Sequence, residues 1–78
     1  MREFRNTSRT GAVRVWRIAV HGNEIHTQFG QLDGKMQEVV ELGERKNVGR
    51  ANEMTAEEDA ILLAERMVLK KTRKGYVE

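Results

Sequence analysis

Apolar and polar residues alternate through the first half of the chain and recur with helical spacing through the second. In "AVRVWRIAVHG", Trp16, Ile18 and Val20 alternate with Arg17 and Ala19, the period of a strand with one apolar face. Upstream, "REFRNTS" offers only Phe4 for burial and reads as an edge strand protected by its arginines. Gly22-Asn23 suits a tight turn, and "EIHTQFGQL" then points Ile25, Thr27 and Phe29 to one side. Asp33-Gly34 is a strong hairpin signal, and "KMQEVVEL" completes a meander with Met36, Val40 and Leu42 available for burial. The expectation is a four-stranded antiparallel sheet from Phe4 to Leu42.

The second half predicts one long helix. Thr55 and Glu58 have capping-box spacing, and Glu57, Glu58 and Asp59 suit the positive helix start. Lys70, Lys71, Arg73 and Lys74 suit its negative end, and Gly75 is a natural residue just past it. Ala60, Ile61, Leu63, Ala64, Met67 and Val68 fall on one broad stripe, while Leu62 and Leu69 point elsewhere. With the stripe laid on the apolar face of the sheet, residues 1–78 form a single α+β domain of two layers.

Composition narrows the class. A chain of 78 residues has one small core, and with no Cys it carries neither disulfides nor thiolate metal sites. No apolar run approaches the ~20 residues needed to span a bilayer. The expectation is a soluble monomer of the cytoplasm with no membrane partner. Net charge is only +2, but its distribution is uneven. Arginines crowd residues 2–17, bases recur at Arg45, Lys46 and Arg50, and four more close the helix. Such segregation favours a polyanion partner if the bases share a face, and is otherwise a solvated mixed-charge surface.

Catalytic chemistry is poorly represented. His21 and His26 lie near one turn without an evident carboxylate to orient either, and a third metal ligand is lacking. Gln31-Leu32-Asp33-Gly34 has the form of the Lys-x-Asp-Gly motif of nucleotidyl-transferring ligases, but an amide replaces the nucleophilic amine. "Gly43…Gly49" lacks the spacing and the Lys-Ser or Lys-Thr pair of a phosphate-binding loop. No enzyme activity and no cofactor are expected. The connection "GERKNVGRANEMTAEE" is richer than a linker requires. Lys46 and Arg50 can pair with phosphates, Asn47 and Asn52 can donate and accept, and Gly49 admits close backbone approach. The same residues also serve as turn formers and helix entry.

The order "VWRIAVHGNEIHTQFGQLDGK", a charged loop, an amphipathic helix and "KKTRKGYVE" resembles a WGR domain, a small antiparallel sheet with a packed helix. The naming tripeptide corresponds to Phe29-Gly30-Gln31, and the family's helix-closing Lys-Gly-Tyr to Lys74-Gly75-Tyr76. "KNVGRANEMTAEEDA" and "KKTRKGYVE" are most similar to the WGR-like module preceding the catalytic core of some phage-type ATP-dependent DNA ligases. The resemblance runs from about Arg14 to Glu78. It implies a non-catalytic module that holds duplex DNA near a nick or end, with a ligase catalytic core as a further partner. DNA contacts would come from Lys46, Asn47, Gly49, Arg50, Asn52, Phe29, Gln31, Lys35 and Lys74. Phe29 stands where the family has Trp and could still stack on a sugar or base. Gln31 stands where it has Arg, which removes a charge. The alternative is a protein-docking module using the acidic surface with Leu62 and Leu69.

Overall fold

The computed structural model describes residues 1–78 apart from Asn47, Arg50 and Asn52. Strands β1 (Arg2–Thr7), β2 (Val13–His21), β3 (Glu24–Gln31) and β4 (Gln37–Leu42) form an antiparallel meander in that spatial order, and helix α1 (Ala56–Arg73) follows. The α+β architecture expected from the alternation is the one observed. Register pairs Phe4 with Trp16, Trp16 with Phe29, Ile18 with Thr27 and Val20 with Ile25. Directly opposed residues share a face, so these side chains form one apolar surface. α1 lies on it.

The core consists of Phe4, Trp16, Ile18 and Ile25 from the sheet with Ala60 and Ala64 from the helix. Phe4 and Trp16 pack as tilted rings with centroids 5.4 Å apart. Leu63, Met67, Val68 and Tyr76 are partly buried around this centre. Two alanines at the contact bring the helix close to the strands. Closeness also explains Gly43, just beyond β4, because a Cβ there would sit 2.6 Å from the Ala60 nitrogen and 2.9 Å from its Cβ.

The helix ends as its sequence dictates. The Glu58 N–H donates to the Thr55 hydroxyl at 3.1 Å, and the Thr55 N–H donates to the Glu58 carboxylate at 3.3 Å. At the other end the Gly75 N–H donates to the Thr72 carbonyl and the Tyr76 N–H to that of Lys71, a Schellman closure with Gly75 at φ +97°.

Three expectations need correction. Val40 and Leu42 are not buried; they are 50% and 59% exposed, on the face turned away from α1. The connection from Leu32 to Met36 sets a register that places Val39 and Glu41, not Val40 and Leu42, on the helix side. Even there β4 stays open, because a helix ~10 Å wide covers roughly two strands spaced ~4.8 Å apart. Ile61, expected in the buried stripe, is 52% exposed. It lies over the end of β2, past the point where β1 begins opposite Ile18, and there the sheet offers less to pack against. Finally, β1 is not guarded by arginines alone. Arg5 exchanges two backbone hydrogen bonds with Val77, at 2.8 and 2.9 Å, so the chain's own tail closes that edge. Arg2 grips Glu78 through two contacts of 2.8 and 2.7 Å and holds that carboxyl below its usual range.

Gly43→Ala should destabilise the domain by about 3 kcal/mol, the upper end for overpacking, because backbone rather than a mobile side chain meets the new methyl. Urea unfolding checks this: a midpoint equal to that of the native chain would show that α1 can lift away at no cost.

Candidate nucleic-acid interface

α1 packs on β2 and β3 and leaves a groove of about 340 Å³ beside its C-terminal half. Trp16 and Thr27 form its floor, Phe29 and Val39 one side, and Met67, Lys70, Lys71 and Lys74 the other. Each position follows from local rules. Lys70 and Lys74 are one helical turn apart, and Lys71 is one turn on from Met67, so the three amines lie along one wall. Strand alternation puts Phe29 on the helix side with Thr27, but α1 does not cover it, and the ring is 36% exposed. The ring lies at the margin of the core, with part of it open to the groove.

Lys71 is the most constrained of the bases. Its amine lies 5.7 Å from the centroid of Trp16 and 5.2 Å from that of Tyr76, within cation–π range of both. Burial pushes its pKa below the ordinary lysine value, and the charge on Lys74 adds to this. One alternation step beyond Trp16, the exposed Arg14 pairs in register with Gln31 and Asn6, and the Asn6 amide donates to the Lys74 carbonyl at 3.3 Å. Arg14, Gln31, Phe29, Lys70, Lys71 and Lys74 therefore gather at one end of the molecule. The opposing charge in the groove is Glu41, on the β4 side.

The nine residues singled out in the sequence do not form one site. Phe29, Gln31 and Lys74 come together at the C-terminal end of α1. Lys35 lies on the other side of the sheet, where its backbone crosses Gly30; a Cβ on Gly30 would come 2.5 Å from the Lys35 carbonyl. Gly30 thus admits the chain itself, not an incoming sugar. Lys46 and Gly49 lie at the far end, beside the start of α1, since Gly43 is bound to Asn23 and packed on Ala60. Asn47, Arg50 and Asn52 lie outside the described residues. Lys70, Lys71 and Arg14 were legible only as a helix-dipole complement and a strand arginine.

The loop that looked equipped for contact has a built neck. Lys46 and Met54 exchange backbone hydrogen bonds at 3.0 and 2.9 Å, and Arg45 pairs with Glu53 at 2.7 Å. Behind them Asp59, only 2% exposed, accepts from the Glu44 N–H at 2.8 Å and from the Lys46 amine at 3.1 Å. Lys46 is therefore committed to a buried carboxylate, while Gly49 sits at φ +77° with open space around it. His26 likewise has the carboxylates its sequence context did not reveal. Glu24 at 3.0 Å and Glu38 at 3.4 Å flank its ring and raise its pKa, Glu24 foremost. Among the described residues no cluster of His, Cys, Asp and Glu is arranged to hold a metal ion, and no helix is long and apolar enough to cross a membrane.

A second hollow of about 400 Å³ lies on the other flank of α1, lined by Met1, Ile18, Val20, Ile61 and Val68 together with His21, Glu65 and an Arg2 already paired with Glu78. It is the larger of the two, but its one arginine is held by Glu78 and its other charge is the acid Glu65, so no bases converge there on a phosphate.

The Glu44 N–H, and after it the Lys46 amine, holds the Asp59 carboxyl below the usual range. A carboxyl depressed by folding stabilises the fold above its unfolded pKa and loses that contribution as pH falls through the folded value. Acid should therefore loosen the neck, and Asp59→Asn should lower the melting temperature at neutral pH while flattening its decline in acid. Melting curves from neutral to acidic pH test this. Parallel curves for the two proteins would remove Asp59 from the account.

Compared with protein-family models, curated proteins and solved structures, the chain finds no match in any of the three, and what it does must be argued from the chemistry of the groove.

Proposed function

We propose that the chain is a non-catalytic DNA-binding module that uses the groove beside the C-terminal half of α1. One observation carries the reading. Three lysines line one wall of a groove whose floor is the single Trp beside Thr27 and whose facing wall carries Phe29 and Val39 with one acid, Glu41. Ammonium groups meet phosphates, and a half-exposed Phe offers a face to a base or sugar, the combination that serves sequence-tolerant binding. Binding rests mainly on phosphate and sugar and is weakly sequence-dependent. The resemblance of "FGQ" and "KGYVE" to a WGR domain supports duplex DNA near a nick or end as the target, in the cytoplasm of a bacterial or phage-infected cell. It also supports a ligase catalytic core as the enzyme such a module would assist. The resemblance also supports a second contact element made of Lys46, Asn47, Gly49, Arg50 and Asn52, of which Gly49 has open space around it and Lys46 is held by Asp59. No cofactor takes part, and the module acts as a monomer. The rival reading, protein docking through the acidic surface with Leu62 and Leu69, predicts little direct affinity for DNA.

Trp16 reports on the groove directly. Titration with nicked, blunt-ended or single-stranded DNA in dilute buffer should change its fluorescence, with affinity falling steeply as salt rises. The proposal fails if none of the three DNAs binds. Replacing Lys70 and Lys74 by Ala should make the slope of log affinity against log salt shallower by about 1.8, two phosphate contacts at ~0.9 each on duplex. An unchanged slope would place the phosphates elsewhere.

Phe29→Ala should stay folded by circular dichroism and lose about 1–3 kcal/mol of DNA binding, the range for a stacked base. A mutant that unfolds would assign the ring to the core and withdraw the stacking role.

A further inference from the structure

The two edges of the sheet are finished differently. On β1 the outward-facing Arg5 is bonded to Val77 of the chain's own tail. On β4 no described residue does the same. The Gly43 N–H donates to Asn23, and alternation along an antiparallel pair then directs the backbone groups of Glu41, Val39 and Gln37 towards β3. Those of Glu38, Val40 and Leu42 face outward. Every residue of β4 is exposed, including Val39, Val40 and Leu42.

A row of free backbone donors and acceptors fits one kind of occupant, an extended strand. The side chains say which. β4 reads Gln-Glu-Val-Val-Glu-Leu, and from Met36 to Glu44 it contains Glu38, Glu41 and Glu44 without a single base. A second copy of β4 would bring its own carboxylates against these, and nucleic acid would be repelled. We propose that β4 is a docking edge for an extended segment of a protein partner that carries two apolar residues between two basic ones. Set antiparallel on β4, its bases lie opposite Glu38 and Glu41, and its apolar pair lies opposite Val39 and Val40. Backbone bonding at Glu38, Val40 and Leu42 supplies the affinity, and the two carboxylates select the partner by charge. The groove with Lys70, Lys71 and Lys74 borders this edge and shares Val39 and Glu41 with it, whereas Glu38, Val40 and Leu42 lie outside the groove.

The test uses the whole chain and a capped hexapeptide, Thr-Lys-Val-Val-Lys-Thr, with a control in which Glu replaces both Lys. Amide chemical shifts should move chiefly at Glu38, Val40 and Leu42, whose hydrogen exchange should slow. The control should bind at least about tenfold more weakly, as expected when like charges face one another. Val40→Pro removes an outward N–H without touching the ladder to β3 and should abolish binding. Glu38→Lys, an exposed change that keeps the fold, should shift preference towards the Glu peptide and decides the matter if the Pro variant misfolds. Equal binding of the two peptides, shifts centred on the lysine groove, or self-association through β4 in sedimentation equilibrium would each overturn the proposal.

Discussion

Everything on the helix side of this domain depends on how closely α1 approaches the sheet. Ala60 and Ala64 carry so little bulk that the helix backbone rests almost on Ile18 and Ile25, and Gly43 clears the one point where β4's exit would collide with it. A larger residue at any of these positions would lift the helix and open the core. The same closeness limits coverage. A helix seated on the middle strands cannot also roof β4, so the groove beside Phe29 and the bare outer strand are consequences of one packing choice.

Charge is arranged around that choice. The acidic helix start has Asp59 buried in the neck of the preceding loop, where Glu44 and Lys46 satisfy it. The basic helix end overhangs the groove, and Lys71 lays its stem and amine between Trp16 and Tyr76. The helix dipole favours this polarity at both ends. β4 adds an acidic flank with Glu38 and Glu41, opposite the basic end at Lys70, Lys71 and Lys74.

The loop rich in Asn, Gly and bases is tied down at its base. Its neck is structural, since Arg45, Lys46 and Met54 close it and Asp59 anchors it. A charged loop can carry basic residues because a buried acid needs them.

Periodicity alone determined the four strands, the helix and its caps, because alternation, capping-box spacing and a Gly past the last turn are local properties of the chain. Trp16 was legible as core for the same reason: it shares a face with Ile18 and Val20. Which residues of β4 face the helix was not legible, since the length and path of the connection from Leu32 to Met36 set that register. The partner of Lys46 was hidden too, because Asp59 lies thirteen positions along the chain and meets it only when α1 folds back. The candidate site divided in the same way. Lys74 and Phe29 could be named from the sequence, but their meeting, and the distance separating them from the loop at Gly49, required the helix to be laid down in one direction across the sheet. Local spacing fixes what each segment becomes; only packing decides which charges share a surface, because that depends on contacts between residues far apart in the chain.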